Sequence, residues 1–230
     1  MNAGEILQAM ATAYERKGSP GAPVAVSFDI DEGTETWSLV ASLEEGPHLE
    51  AGEHVSPEFI VVTSTEVLQR LYAGGISPLT AAGREAMHQE TPLNFRFPEG
   101  VAPGQALYHR IVLFVQRFFN PHPGERIRVS EDASRVVHGG NVVGLYADVG
   151  FRSAWYLLKP GEQLNEPGDT NPFPQAFVIL SGSGTADIAG MPHDLEPNTA
   201  YFIPPGSEHV VRPSADGPLM LIWLAWGEGA

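Results

Sequence analysis

Pro204-Pro205-Gly206-Ser207-Glu208-His209 sets an imidazole three residues beyond a proline-glycine turn. A histidine titrates near pH 6.5, about where a side chain must titrate to exchange protons at neutral pH. Upstream lie Asp169, Asn171 and Gln175. The carboxylate can orient or charge-couple an imidazole, and the two amides can donate to a carbonyl or enolate oxygen. Glu166 adds a second carboxylate three residues before Asp169. Other chemistries lack their residues. There is no cysteine, hence no thiolate nucleophile, disulfide or thiolate zinc site. No G-x-S-x-G, phosphate-binding glycine loop, dinucleotide fingerprint or H-E-x-x-H occurs.

The elements that must carry these residues read as strands. Residues 126–130, 134–138, 141–148, 153–158, 176–180, 185–188, 200–203, 209–212 and 219–226 are short apolar or β-branched runs broken by Gly, Pro or Asp. Such spacing predicts an all-β sandwich or barrel. Side chains alternate across a strand, so if Gln175 faces the interior, Phe177 and Ile179 do as well, and His209 and Val211 share a face. On the strand at 153–158 either Trp155 with Leu157 or Tyr156 with Leu158 joins the wall. The result is an apolar, aromatic cavity with a few polar groups, a profile that suits a small-molecule pocket.

The stretch from Lys159 to Arg212 also resembles the paired motifs of the cupin family, which read G-x5-H-x-H-x3–4-E-x6-G and G-x5-P-x-G-x2-H-x3-N. The second motif is kept through Pro204, Gly206 and His209, although Asn198 and Pro213 replace its outer Gly and Asn. In the first, counting back from Gly182 puts Gln175 at the family's Glu, with Asp169 and Asn171 at its two His. The resemblance implies a jelly-roll barrel whose metal ligands, three His and a Glu, survive here only as His209. The loop from Gly161 to Gly182 runs slightly longer than the family frame, which would let Glu166 substitute.

Ahead of the barrel the pattern is mixed. Ile6, Leu7, Met10 and Tyr14 form a helical stripe that Lys17-Gly18-Ser19-Pro20 should end. Strands are expected at 24–30, 36–43, 59–64 and 91–97. Helices should start at the caps Ser64 and Ser77, running to Leu71 and Met87. VAVSFDIDEGTETWSLVASLEEG and FIVVTSTEVLQRLYAGGISPLTAAGREAMHQETPLNFRF resemble the sterol carrier protein 2 family. That implies an α+β domain with a five-stranded sheet and an apolar tunnel for lipids or acyl chains. The residues alone allow a filled core equally well. Pro98–Gly104 marks a boundary, and Gln105–Phe119 reads as an amphipathic helix with Leu107, Ile111, Phe114 and Phe118 on one face. Its stripe must be covered by the barrel or a domain interface, and it would fit a homodimer. The expected organisation is therefore a sterol-carrier-like domain at 1–100, a linker and helix at 101–125, and a cupin-like barrel at 126–230.

Composition narrows the partners. Thirteen Lys and Arg against 28 Asp and Glu give a formal charge of −15, which repels phosphate backbones and anionic lipid surfaces. No apolar run reaches a membrane span, and the amino-terminal stretch is too polar for a signal peptide, so a cytoplasmic protein without nucleic-acid or membrane partners is expected. The expected function is action on a hydrophobic, acyl- or polyketide-like small molecule. His209 and Asp169 would serve as catalytic acid–base groups without a cofactor. Asn171, Gln175, Phe177, Ile179, Trp155 and Tyr156 would contact the substrate. Alternatives are a non-catalytic binding or sensing module and a metal-dependent dioxygenase using Glu166, Asp169 and His209.

Overall fold

Ile6, Leu7, Met10 and Tyr14 fall on one side of α1 (Ala3–Arg16) and are buried there. The computed structural model describes residues 1–16, 24–42, 46–84, 89–121 and 126–230. Two compact units emerge, one of residues 1–82 and 88–128, the other of residues 83–87 and 129–230.

In the first unit, β1 (Val24–Ile30), β2 (Glu35–Ser42), β3 (Gly46–Ala51), β4 (Phe59–Thr63) and β5 (Asn94–Arg96) form one sheet ordered β3-β2-β1-β4-β5. β1 and β4 pair in parallel, whereas the other neighbours are antiparallel. The two serine caps operate as their chemistry dictates. Ser64 Oγ accepts from Val67 N at 3.3 Å to open α2 (Thr65–Tyr72), and Ser77 Oγ accepts from Thr80 N at 3.1 Å to open α3 (Pro78–Ala82). α3 stops at Ala82, short of the expected Met87; residues 85–87 and the Lys17–Pro20 stop signal lie outside the described residues.

The helix α4 (Gln105–Phe118) belongs to this first unit. Its stripe is not a free docking face, nor is it waiting for the barrel. Ile111, Phe114, Val115 and Phe118 are buried in one core with α1 and the sheet. Phe114 stacks on Phe118 with centroids 4.9 Å apart and meets Tyr14 at 5.8 Å and Phe59 at 5.5 Å edge-on. Rings fill the space against the sheet at contact distance, which is the arrangement of a packed core.

The second unit comprises β6 (Arg135–Val137), β7 (Gly140–Asp148), β8 (Phe151–Leu158), β9 (Gln175–Ser181), β10 (Gly184–Ile188), β11 (Met191–Leu195), β12 (Ala200–Ile203), β13 (His209–Pro213) and β14 (Leu219–Trp226). A six-stranded sheet, β12-β9-β14-β8-β7-β6, is accompanied by a three-stranded one, β11-β10-β13, and every pairing in both is antiparallel. Side chains of both sheets, among them Tyr156, Leu158, Phe177, Ile179, Ala186, Val211 and Leu221, share one core, as in a jelly-roll cupin barrel. The run at 126–130 is not a strand. Its composition is strand-like, but it joins no strand among the described residues, and Ser130 instead leads into a short 3₁₀ turn at Glu131–Ala133.

The family frame's Gly182 has a physical reason. Its φ is +83°, and a Cβ there would sit 2.1 Å from the Pro218 carbonyl oxygen. Only glycine fits that turn between β9 and β10.

Candidate functional site

Period-two alternation aims three neighbouring strands at one place. Ala225 on β14 is paired on one side with Arg152 of β8 and on the other with Gln175 of β9. Arg152, Ala225 and Gln175 therefore form one row across the sheet, with Ala154, Trp223 and Phe177 in the next. Above these rows lies a cavity of about 260 Å³, whose wall includes Arg152, Gln175, Phe177, Trp223, Tyr156 and Leu164.

The row is tightly specified. Trp223 Nε1 donates to Gln175 Oε1 at 2.8 Å, and Asn171 Nδ2 donates to the same oxygen at 3.3 Å. Two donors on one atom identify it as the amide oxygen, because the reversed amide would set NH₂ against two N–H groups. Gln175 Nε2 is then left buried without a hydrogen-bond partner, on a residue 1% exposed. The Arg152 guanidinium carbon lies 5.1 Å from the Phe173 ring centroid and 5.7 Å from that of Trp223, within cation–π range. Burial pushes the Tyr156 phenol up to about 12, against a smaller opposing influence of Arg152, so its hydroxyl stays protonated.

His209 enters from the other sheet, at the first position of β13. Ser207 N donates to the Pro204 oxygen at 3.2 Å, and Gly206 has φ +74°, which makes Pro204–Ser207 a type II-like turn with proline and glycine where that turn wants them. Gly206 N also donates to Asn171 O at 2.7 Å, tying the turn to the loop before β9. His209 is 2% exposed, with its ring 5.9 Å from the Phe177 ring. Its Nδ1 lies 3.1 Å from the Ser207 carbonyl, which can only accept, so Nδ1 carries the hydrogen and Nε2 holds the lone pair. Burial lowers the His209 pKa below the ordinary value; the Ser207 carbonyl and Asp169 oppose this, and His138 adds to it. The imidazole is thus neutral, with its basic nitrogen uncommitted, at neutral pH.

Two other lining residues brace the cavity mouth. Asn165, at φ +63°, donates from Nδ2 to His209 O at 3.1 Å and from its backbone N–H to His138 O at 3.1 Å. His138 itself adopts φ +52° in the β6–β7 hairpin, followed by Gly139 at +81°.

The carboxylates behave differently from the expectation. Asp169 Oδ2 accepts from Glu166 N at 2.8 Å while Asp169 N donates to Glu166 O at 3.1 Å, so this side chain closes its own turn. Asp169 reaches the cavity wall as an exposed residue, and Glu166 is exposed and off the wall. Among the described residues no three His, Cys, Asp or Glu side chains gather into a metal-holding group. The set Glu166, Asp169 and His209 does not fit a metal, since one carboxylate is held by a backbone N–H and the other turns away. At the family's Glu position stands Gln175, whose oxygen is already taken by two donors.

Of the residues expected at the site, His209, Asp169, Asn171, Gln175, Phe177 and Tyr156 share the cavity. Trp155 does not: β8 turns Tyr156 into the core, and Trp155 lies on the opposite face of that strand. Ile179 faces inward but is buried as core, one row beyond the wall. Arg152, Trp223, His138, Leu164, Asn165 and Thr170 were not anticipated. Strand alternation carried back from Tyr156 would have found Arg152, and carried forward from Leu221 would have found Trp223.

Residues 154–225 match the Cupin_2 family, described as a cupin domain, and the match lies wholly in the second unit. None of the curated proteins matches the chain. Among solved structures, a protein from Photorhabdus luminescens is similar at 15% identity and a TM-score of 0.41, covering 46% of this chain and 89% of the other. A cupin 2 conserved barrel domain protein from Salinispora arenicola is similar at 19% identity and a TM-score of 0.40, with 46% and 91% covered. For a cupin-2 domain protein from Rhodospirillum rubrum the values are 19% and 0.36, with 40% of this chain and 62% of that one covered. The chain thus spans under two thirds of the length of that last structure.

Proposed function

We propose that the second unit is an acid–base enzyme of isomerase, cyclase or lyase type, acting on a small carbonyl-bearing molecule within the barrel. His209 Nε2 takes a proton from the carbon beside the carbonyl. The C–H electron pair becomes the enolate double bond, and the carbonyl π pair moves onto oxygen. The protonated imidazole then returns the proton to substrate or leaving group. The observation that carries this reading is the state of His209, buried, neutral, with Nδ1 held by Ser207 O and Nε2 unused. No step calls for a metal ligand set. A volume of about 260 Å³ lies just below the range of about 300–1,000 Å³ of drug-sized pockets. That supports a compact substrate and speaks against a long acyl or polyketide chain inside the barrel.

The test follows deuterium uptake from D₂O into levulinate and levulinamide by proton NMR. Wild type should accelerate exchange beside the ketone above the buffer rate. In His209→Gln that acceleration should fall by about 10²-fold or more, the usual worth of a positioned general base. Equal exchange in the two proteins would overturn the role.

A second reading has its own support. The imidazole is oriented by a backbone carbonyl and not by a carboxylate, since Asp169 caps its own turn. This favours a non-catalytic binding or sensing module, for which the probes would bind without exchange.

A further inference from the structure

We propose that the occupant of the cavity is a small carboxylate, its anionic oxygens held by the Arg152 guanidinium and the Gln175 Nε2 amide. The inference rests on the site proposed above and specifies the chemical class of its ligand.

Hydrogen-bonding capacity on the six-stranded-sheet side is unbalanced. Gln175 Nε2 is a buried donor with nothing to give to. Leaving such a group unmet is unfavourable, so a ligand acceptor at this point recovers the hydrogen bond. Its orientation is not adjustable, because Trp223 Nε1 and Asn171 Nδ2 both hold Oε1. Strand pairing sets Arg152 two strands away in the same row, with only the Ala225 methyl between them. The guanidinium is permanently charged, and the rings of Phe173 and Trp223 flank it. Both rings sit at cation–π distance from it, and a guanidinium N–H edge beside a fixed amide N–H matches the two oxygens of a carboxylate. The protonated hydroxyl of Tyr156 adds a donor on the same wall.

One carboxylate lines the wall. Asp169, the carboxylate on the wall, belongs to the loop, and its Oδ2 is occupied by Glu166 N. The imidazole of His209, on the facing sheet, offers Nε2 as a base. Facing sheets of a sandwich lie about 10 Å apart, so one compact molecule can seat its carboxylate on β8 and β9 and offer its reacting carbon to β13. Phe177 and Trp223 supply apolar surface for the atoms between.

Calorimetric titration of wild type with levulinate and with levulinamide tests the assignment, since the two differ in one group, an anionic carboxylate in the first and a neutral amide in the second. Levulinate should bind at least about 10-fold more tightly, in line with a charge-assisted pair compared with a neutral one. Arg152→Gln should erase the preference, Arg152→Lys should keep part of it, and Gln175→Leu should weaken levulinate several-fold. Circular dichroism melts identify any variant that has lost its fold, and the lysine variant then decides. Equal binding of acid and amide, failure of both to bind, or an undiminished preference in a folded Arg152 variant would overturn the inference. Acid preference without deuterium exchange would sink proton transfer alone. Exchange on levulinamide with no acid preference would sink the anion site alone.

Discussion

His209 and Gln175 show how much a single side chain's partners decide. The imidazole has a pKa lowered chiefly by burial. The folded state therefore resists protonation more than the unfolded chain, and the stability this preserves is fully present above the unfolded value of about 6.5 and is lost as pH falls through it toward the lower folded value. Urea melts of wild type should weaken on acidification across that window, and His209→Gln should show a shallower loss over the same interval. Identical slopes would mean that the ring is not held neutral. The spacing Gly182, Gln175, Asn171 and Asp169, with Pro-Pro-Gly ahead of His209, was legible because it falls on the frame of the cupin motifs. What remained hidden was pairwise. No residue pattern reveals that Asp169 spends its carboxylate on Glu166 N, or that Trp223 clamps Gln175 from a strand 48 positions away. The choice between Trp155 and Tyr156 was open for a similar reason, since both registers of β8 present an aromatic residue.

Elements with strong internal chemistry were legible as well. The serine caps, the stripe of α1 and most barrel strands need only local residues to be recognised. β3 and β11 were missed because GPHLEA and MPHDL carry proline and charge where a strand pattern wants alternation. Both are edge strands of their sheets, where such residues are tolerated and discourage further pairing. The helix α4 was placed correctly in sequence, but its cover lies in the sheet of the first unit, which only long-range packing can show. Phe114 sits at the centre of that packing, in ring contact with Tyr14, Phe28, Phe59, Phe118 and Phe119. Phe114→Ala should lower unfolding free energy by about 3–5 kcal/mol, the usual cost of deleting a buried ring. A loss below about 1 kcal/mol in chemical denaturation would show that the rings do not form one packed core.

At the scale of the whole molecule, the chain carries a formal charge of −15, whereas its barrel cavity carries a fixed cation. The two act over different distances. The surface field reaches about one Debye length into solvent and is screened by salt, whereas a guanidinium walled by rings acts at contact and is screened much less. For an anionic visitor the outer field is an obstacle to arrival and the inner charge a reason to stay. Stopped-flow mixing with levulinate should therefore show association quickening as ionic strength rises from about 0.01 M to about 0.15 M, where the Debye length falls from about 30 Å to about 8 Å. Dissociation should change far less. Association that slows with salt would mean that the approach is locally attractive despite the total charge. The guanidinium between Phe173 and Trp223 thus becomes a matter of timing. This barrel would admit its ligand slowly and release it slowly, so that its occupancy follows the average concentration of the ligand and not its brief fluctuations.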